Sequence, residues 1–314
     1  MKYWVGITDR HWFEFLAARP SIDEVNFWQP RGGRPPVRLE VGAPFLFKLH
    51  AADGGHVVGG GSFLHWTSVP IRLAWDAFGD KNGADSIEEM ARPIRRYRGG
   101  QVDIETDEIG CMMLGDPWFL PRQAWISPPK DWAPNLVQGR TYDSDTDEGA
   151  DLWTRAAIAR NRQILAGEST LTDEPPRAVA EDRYGKPTLM APRLGQGTFR
   201  LWVTDAYERR CTITGERTLP VLEAAHIKPY SLSGPHALDN GLLLRSDLHT
   251  LFDRGYITIG SDRRVRVSRR IREEWANGRD YYAFEGREVR EPVKPHIGPA
   301  VEYLEWHRDV RFRG

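Results

Sequence analysis

The chain has 314 residues, 40% of them hydrophobic, enough to bury more than one core, and that length favours two domains over one. The formal net charge of −1 gives no overall basic signature, no apolar run reaches membrane-spanning length, and the start, MKYWVGITDR, lacks the apolar centre of a secretory leader. Two cysteines, Cys111 and Cys211, exclude a disulfide framework and a four-cysteine zinc site within one chain, and they fit a reducing, cytoplasmic setting with no membrane partner.

Residues 1–142 read as a strand-rich domain with helices. Lys2 to Ile7 is a strand, and Asp9 to Ala18 has helical spacing with Asp9 placed as its N-cap. VNFWQPRGGRPPVRL puts a Gly/Pro loop between two strands. Residues 44–49 and 57–64 flank the turn ADGG and predict a hairpin. The run Gly59–Gly61 inside the second strand predicts a bulge or a close backbone approach. Residues 71–78 and 86–97 are helical in pattern, with Pro93 kinking or breaking the second. Residues 109–114 and 118–120 are strand-like, and the Pro-rich WISPPKDWAP follows.

DSDTDEGA, residues 143–150, is acidic and small, the composition of a solvated linker. Residues 151–166 have helical periodicity, and 167–197 read as a second linker or an extended arm. An amphipathic helix over 199–209 leads into Cys211. The expected division is therefore 1–142, a linker with a helix at 143–197, and 198–314, within an α+β class. Charge follows it: residues 1–150 hold 16 basic and 21 acidic side chains, the remainder 27 and 23. The C-terminal half is thus the better candidate for phosphate contact, and the run Arg263–Arg272 either tracks a nucleic-acid backbone or forms a solvated face.

Arg210 to Ile257 carries the chemistry. VLEAAHI reads as a strand, KPYSLSGPHALD as a loop, NGLLL as a second strand, and SDLHTLFDRG as a helix with Ser246 as N-cap and Gly255 as C-cap. A histidine ending a strand, His226, suits a general base that takes a proton from attacking water, because imidazole titrates near neutrality. His249 and Asp253 stand four apart on one helix face and could hold a divalent cation. An alternative role for Asp253 is an ion pair with Arg254. Asn240, between loop and strand, is placed to bond across the loop and fix the backbone carrying His226. Arg245 is a candidate phosphate contact or an ordinary exposed arginine. Glu223 could be a further ligand, with its strand phase, which differs from that of His226, counting against it. His236 lies in the loop without an assigned role.

The order CTITG, LEAAHIKPYS, DNGLLLRSDLHTLFDRG resembles the His-Asn-His (HNH) endonucleases over about 60 residues. That resemblance implies a ββα-metal fold with His226 as base, Asn240 as structural asparagine and His249 as metal ligand, working with Mg²⁺ or Mn²⁺. Two departures stand out. Ala225 occupies the place before the base where many relatives carry a metal-binding Asp or His. Cys211 sits where a first zinc cysteine would be, but Thr214 and Leu248 take the partner positions, so Cys211 is expected to be a small buried residue.

The N-terminal domain is dense in aromatics, most of them expected in the core. The order YWVGITD, VNFWQP, PFLFKLH, VVGGGSFLHW, AWDAFGDKNG, IGCMML, PWFLP is similar to the PUA-like superfamily, to its EVE and ASCH-type members above all. That resemblance implies a small β-barrel whose aromatic pocket takes a flipped modified cytosine, here at Asn26, Trp28, Trp66 and Trp118. Together the two resemblances imply a modification-dependent restriction endonuclease active in phage defence on double-stranded DNA, as a homodimer if both strands are cut. The rivals are a nucleic-acid-binding protein whose nuclease fold has lost its metal site, and a nuclease gated by a small nucleotide or a protein.

Overall fold

Alternating apolar runs in the first half of the chain pair into one sheet, and a short apolar ribbon organises the second half. The computed structural model describes residues 1–19, 21–133, 135–169, 194–294 and 297–314. It divides into two units, Met1–Arg193 and Leu194–Gly314. Among the described residues no helix is long and apolar enough to cross a membrane.

The first unit runs β1 (Lys2–Thr8), α1 (Arg10–Ala17), β2 (Glu24–Gln29), β3 (Pro44–Leu49), β4 (Val57–Pro70), α2 (Ile71–Phe78), α3 (Ile87–Arg98), β5 (Glu108–Phe119), β6 (Gly139–Asp143) and α4 (Asp147–Ser169). Its six strands lie in the order β2-β5-β4-β3-β1-β6. Only β1 and β3 are parallel, a pairing that needs the crossover supplied by α1 and β2. Period-two alternation splits β1 between two cores. Trp4 joins Trp12, Phe13 and Leu16 of α1, with Phe27, Phe45 and Phe47. Tyr3 and Val5 face Tyr142 and the α4 residues Leu152 and Ala156.

The glycine run is both a bulge and a close approach. The register of β4 against β5 shifts between Gly60 and Ser62, and a Cβ at Gly59 would lie 2.3 Å from the Trp118 carbonyl oxygen. Pro93 sits inside α3 without ending it. The two strand pieces expected around 109–120 are one strand, β5.

The acidic stretch 143–150 does not form a free linker. The Met1 ammonium donates to Asp143 Oδ1 at 3.1 Å and to Ser144 Oγ at 2.7 Å, and α4 begins at Asp147. Acidic side chains are favourable in a first helical turn, so a composition that reads as linker is here a helix start packed on the sheet. The three expected segments thus reduce to two units, with α4 in the first. Most of the arm expected at 167–197 lies outside the described residues.

The second unit runs α5 (Gln196–Ala206), β7 (Leu222–His226), β8 (Gly241–Arg245), α6 (Ser246–Asp253), β9 (Ile257–Ile259), β10 (Val265–Val267), α7 (Arg270–Trp275), α8 (Arg279–Tyr282) and α9 (Val301–Trp306), followed by a π-helical turn at His307–Arg311. The antiparallel β7–β8 ribbon and α6 form the ββα unit. Phe199 and Val203 of α5 pack on it with Leu243, Leu248 and Phe252. Arg245, not Ser246, occupies the N-cap position of α6. At the other end Gly255 (φ +74°) allows amides 255 and 256 to bond the Phe252 and Leu251 carbonyls at 2.9 and 2.8 Å, a Schellman ending.

The chain's last residues close onto this unit. A Cβ at Gly255 would lie 2.0 Å from the Arg311 carbonyl oxygen, and the Arg313 amide bonds the Gly255 carbonyl at 2.8 Å. His307 is buried, with its ring 3.7 Å from that of Phe252. Its Nε2 donates to the Phe252 carbonyl at 3.0 Å, which leaves Nδ1 to accept from Thr258 Oγ1 at 2.9 Å. Burial pulls the His307 pKa down from 6.5 to about 4. Its neutral form is the folded form, so its contribution is complete above about pH 6.5 and is lost as pH falls through about 4. Unfolding free energy measured from pH 7 to 4 is expected to fall more steeply in the wild type than in His307→Gln, by up to about 1.4 kcal/mol per pH unit. Equal slopes would contradict a neutral buried His307.

Candidate active site

The ββα unit brings His226, His249, Asp253 and several unpredicted residues around one cavity. His226 ends β7, Glu223 lies earlier on the same strand, and His249 and Asp253 stand one turn apart on α6. All four line a cavity of about 530 Å³, together with Phe199, Arg200, Tyr230 and Arg311. Glu223 lines the cavity although its strand phase differs from that of His226. Ala225 is buried, while Glu223, Ala224 and His226 all reach the cavity.

His226 is held on two sides. Its ring stacks on Phe199 with centroids 3.9 Å apart and planes 15° apart. Its Nε2 lies 2.9 Å from Nδ1 of His236, whose ring in turn stacks on Tyr230 at 4.4 Å. Burial, then the neighbouring His236 and His249, pull the His226 pKa down from 6.5 to about 4, so its imidazole is neutral and able to accept a proton at ordinary pH. Sequence reasoning gave His236 no role. A ten-residue separation across an irregular loop carries no periodic signal for such a contact.

Asn240 is fully buried and its amide is fully used. Oδ1 accepts from the Lys228 amide at 2.9 Å, and Nδ2 donates to the carbonyls of Lys228 and Pro235, both at 2.9 Å. The asparagine clamps the loop between His226 and His236 from inside.

Glu223 Oε2 lies 2.6 Å from His249 Nδ1, and His249 Nε2 lies 3.4 Å from Asp253 Oδ2. With Nδ1–H given to Glu223, Nε2 turns a lone pair toward a carboxylate, and two acceptors facing one another need a proton or a cation between them. Donors bound to one Mg²⁺ at about 2.1 Å stand about 3 Å apart, which this pair matches. Among the described residues no group of three or more His, Cys, Asp or Glu side chains is set to hold a metal ion. His249 Nε2 and Asp253 Oδ2 are thus two facing donors and not a closed cage, and Glu223 engages the other ring nitrogen of His249.

Arg245 does not line the cavity. Its guanidinium is bound twice by Asp247, at 2.6 and 2.8 Å. The arginines that do line it are Arg200 of α5 and Arg311 of the C-terminal turn. Neither lies in the motif, so its spacing could not point to them. Cys211 is buried, and its Sγ accepts from the amides of Thr214 and Arg245 at 3.5 and 3.4 Å.

The base-pocket residues expected in the first unit are not brought together. Trp28 lines a cavity of about 720 Å³ with Asp9, Trp12, Lys48, His50 and Trp132. Asn26 lies fully buried in β2 and donates to Asn82 Oδ1 at 2.8 Å. Trp66 packs partly buried against the α1-side core. Trp118 packs against the α4-side core with the Arg160 guanidinium 5.9 Å from its ring centroid. Asn26 shares the Trp28 face of β2 but is covered there by Asn82, while Trp66, in register with Met112 and so with Phe27, lies on the other face; of the four, only Trp28 lines the cavity. The Asp9 side chain does not cap α1; it accepts from Tyr97 at 2.9 Å and lies 3.3 Å from His50 Nε2. The hydrogen bond with His50 holds the Asp9 carboxyl below its usual range. Lys48 is buried, its Nζ donating to the Leu49 carbonyl at 3.1 Å and lying 4.6 Å from the Trp132 ring centroid, and burial lowers its pKa.

Residues 211–260 match the HNH endonuclease family model. This segment is an HNH endonuclease domain. No curated protein matches the chain. Among solved structures it is similar to the ASCH protein of Zymomonas mobilis, with 12% identity and a TM-score of 0.33 over 48% of this chain and 92% of that one. A mutant of the same Zymomonas protein gives 14% identity and a TM-score of 0.32 over 47% and 94%. A structure described as the modification-dependent TagI restriction endonuclease gives 15% identity and a TM-score of 0.28, over 94% of this chain and 78% of that one.

Within the HNH domain the clamp at Asn240 sets the geometry. Asn240→Ala leaves a buried amide and two carbonyls without their partner, so it is expected to cost about 3 kcal/mol of unfolding free energy. Chemical denaturation of the two proteins checks this; a loss under about 1 kcal/mol would mean that the loop does not depend on the clamp.

Proposed function

We propose that the chain is a metal-dependent DNA endonuclease whose first unit selects a modified cytosine. The observation that carries the nuclease reading is the grouping of His226, Glu223, His249, Asp253, Arg200 and Arg311 around one cavity in the HNH domain. The neutral His226 takes a proton from water as it attacks phosphorus. In the working tautomer Nε2–H of His226 donates to His236 Nδ1, which leaves His226 Nδ1 as the base and gives the imidazolium a partner once it forms. Arg200 and Arg311 hold the phosphate oxygens. Glu223 orients His249, and His249 with Asp253 would hold Mg²⁺ or Mn²⁺. A divalent ion so held supplies charge stabilisation to the phosphate and the departing oxygen. One site cuts one strand, so a double-strand break calls for two copies of the chain or two successive events.

The base-selecting role rests on the cavity walled by Trp28, Trp12 and Trp132. Stacking between indoles suits a base taken out of the duplex, and a carboxylate such as Asp9 suits the exocyclic amine of cytosine. The Trp12 Nε1 is buried without a hydrogen-bond partner among the described residues and offers a donor to such a ligand. A binding protein without turnover is the second reading, favoured by the buried Ala225, which offers no ligand beside His226.

Cleavage of matched DNAs with and without modified cytosine, in Mg²⁺ and in Mn²⁺, decides between them. The modified DNA is expected to be cut at least about tenfold faster, with activity abolished in His226→Ala and the preference abolished in Trp28→Ala. Equal cutting of both DNAs overturns the base selection, and no cutting with either ion overturns the nuclease reading. The His226–His236 contact has its own outcome. His236→Phe keeps a ring against Tyr230 but loses the acceptor, and it is expected to lower kcat roughly 10- to 100-fold with KM little changed. His236→Asn, which restores an acceptor near Nδ1, is expected to recover much of that loss; equal losses in the two variants would reduce His236 to packing.

A further inference from the structure

Beyond the cleavage cavity the second unit carries a second concavity, of about 570 Å³. It is lined by Asp253, Arg254, Arg270, Val310, Arg311, Phe312 and Arg313. Asp253 and Arg311 line both, so the two concavities lie side by side. Four of the seven residues lining the second are arginines, all exposed. Arg254, Arg311 and Arg313 form no ion pair among the described residues, and Arg270 has only a distant one, with Glu274 at 3.9 Å. Some arginines elsewhere in this unit are neutralised at close range, Arg245 by Asp247 at 2.6 Å, Arg308 by Asp309 at 2.7 Å and Arg263 by Glu291 at 3.3 Å, whereas others, such as Arg279 and Arg287, form no ion pair among the described residues. What sets the groove apart is that four guanidiniums gather in one concavity beside a single lining carboxylate, Asp253, as is expected where a polyanion binds.

The arginines arrive from three separate places. Arg254 follows α6, Arg270 opens α7, and Arg311 and Arg313 come with the C-terminal turn. That turn is built into the fold by the buried His307, by the close approach of the Arg311 carbonyl to Gly255, and by the bond from the Arg313 amide to the Gly255 carbonyl. Arg313 is further placed by Nη1 donating to the Tyr256 hydroxyl at 3.2 Å. Backbone contacts thus hold the turn that carries Arg311 and Arg313 beside the end of α6.

We infer that this groove is a phosphate-binding track for the DNA strand running from the cleavage cavity, and that residues 307–313 are a working element of the nuclease. The inference rests on the nuclease reading for its ligand, but it is tested by binding without cleavage. The full-length protein, in EDTA, is titrated with a fluorescent unmodified duplex between 50 and 200 mM salt. Each phosphate contact contributes about 0.9 to the slope of log K against log salt. Arg254→Gln, Arg270→Gln and Arg313→Gln combined are expected to weaken binding roughly tenfold or more at the low-salt end and to flatten the slope by about 2 to 3. The same three positions changed to Lys keep the charge and are expected to keep most of the slope. Arg279→Gln with Arg287→Gln, exposed but outside the groove, are expected to leave it unchanged. A triple Gln variant with the wild-type slope overturns the track, as does an equal loss in the Lys variant or in the outside pair. If the slope changes as expected while the wild type cuts no DNA with any divalent ion, the track stands and the nuclease reading falls.

Discussion

The geometry of the His226 cavity depends on one buried amide. Asn240 sits with no exposed surface, accepts one backbone hydrogen bond and donates two, and all three go to the loop that leaves His226 and returns at His236. A loop of this kind has no ladder of its own to hold it. Without the clamp its backbone polar groups would be left to water, and the two histidines would have no fixed separation. With it, the His226 ring is caught between Phe199 and His236, and that confinement keeps it neutral.

Around this point the domain packs on its own elements. Cys211 is an amide acceptor inside the core, and helix α5 covers the ribbon from one side. The C-terminal turn closes onto α6 at Gly255, where a side chain would collide with it. The pieces that stabilise the domain also furnish its cavity: α5 brings Arg200 and the turn brings Arg311. Packing and charge placement are served by the same backbone contacts.

The first unit shows a similar economy. Its sheet buries Tyr3, Trp4, Phe45 and Phe47 on its two sides. The polar groups of its open cavity come from segments next to those core residues, Asp9 following β1, Lys48 within β3 and His50 just after it. Asp9 stands where a helix cap is expected, yet its carboxylate serves His50 and Tyr97. A side chain that a helix end would ordinarily use is turned toward the cavity.

What local pattern encodes is legible in the sequence. Strand alternation, the glycine run, the helix over residues 151–166 and the His-Asn-His spacing all lie within short windows, and the elements appear where those windows put them. The resemblance to PUA-like domains points to a pocket at Asn26, Trp28, Trp66 and Trp118, but it does not say which of them is covered, and of the four only Trp28 lines the open cavity. Strand phase counts against Glu223 as a site residue, yet its carboxylate lines the cavity 2.6 Å from His249. Closeness to the motif singles out Arg245, whereas the neighbouring Asp247 already holds it.

By itself, the sequence determined an α+β chain with an HNH domain over residues 211–260, with His226, Asn240 and His249 at its centre, because those residues are tied by short-range spacing within one ββα unit. Only the tertiary structure decided which side chains surround them. The contact of His236 with His226, those of Arg200 and Arg311 with the cavity, and those of Asp9, Lys48 and Trp132 with theirs, are made across loops and chain ends. There the separation along the chain carries no period, and the packing of one element on another sets the distance.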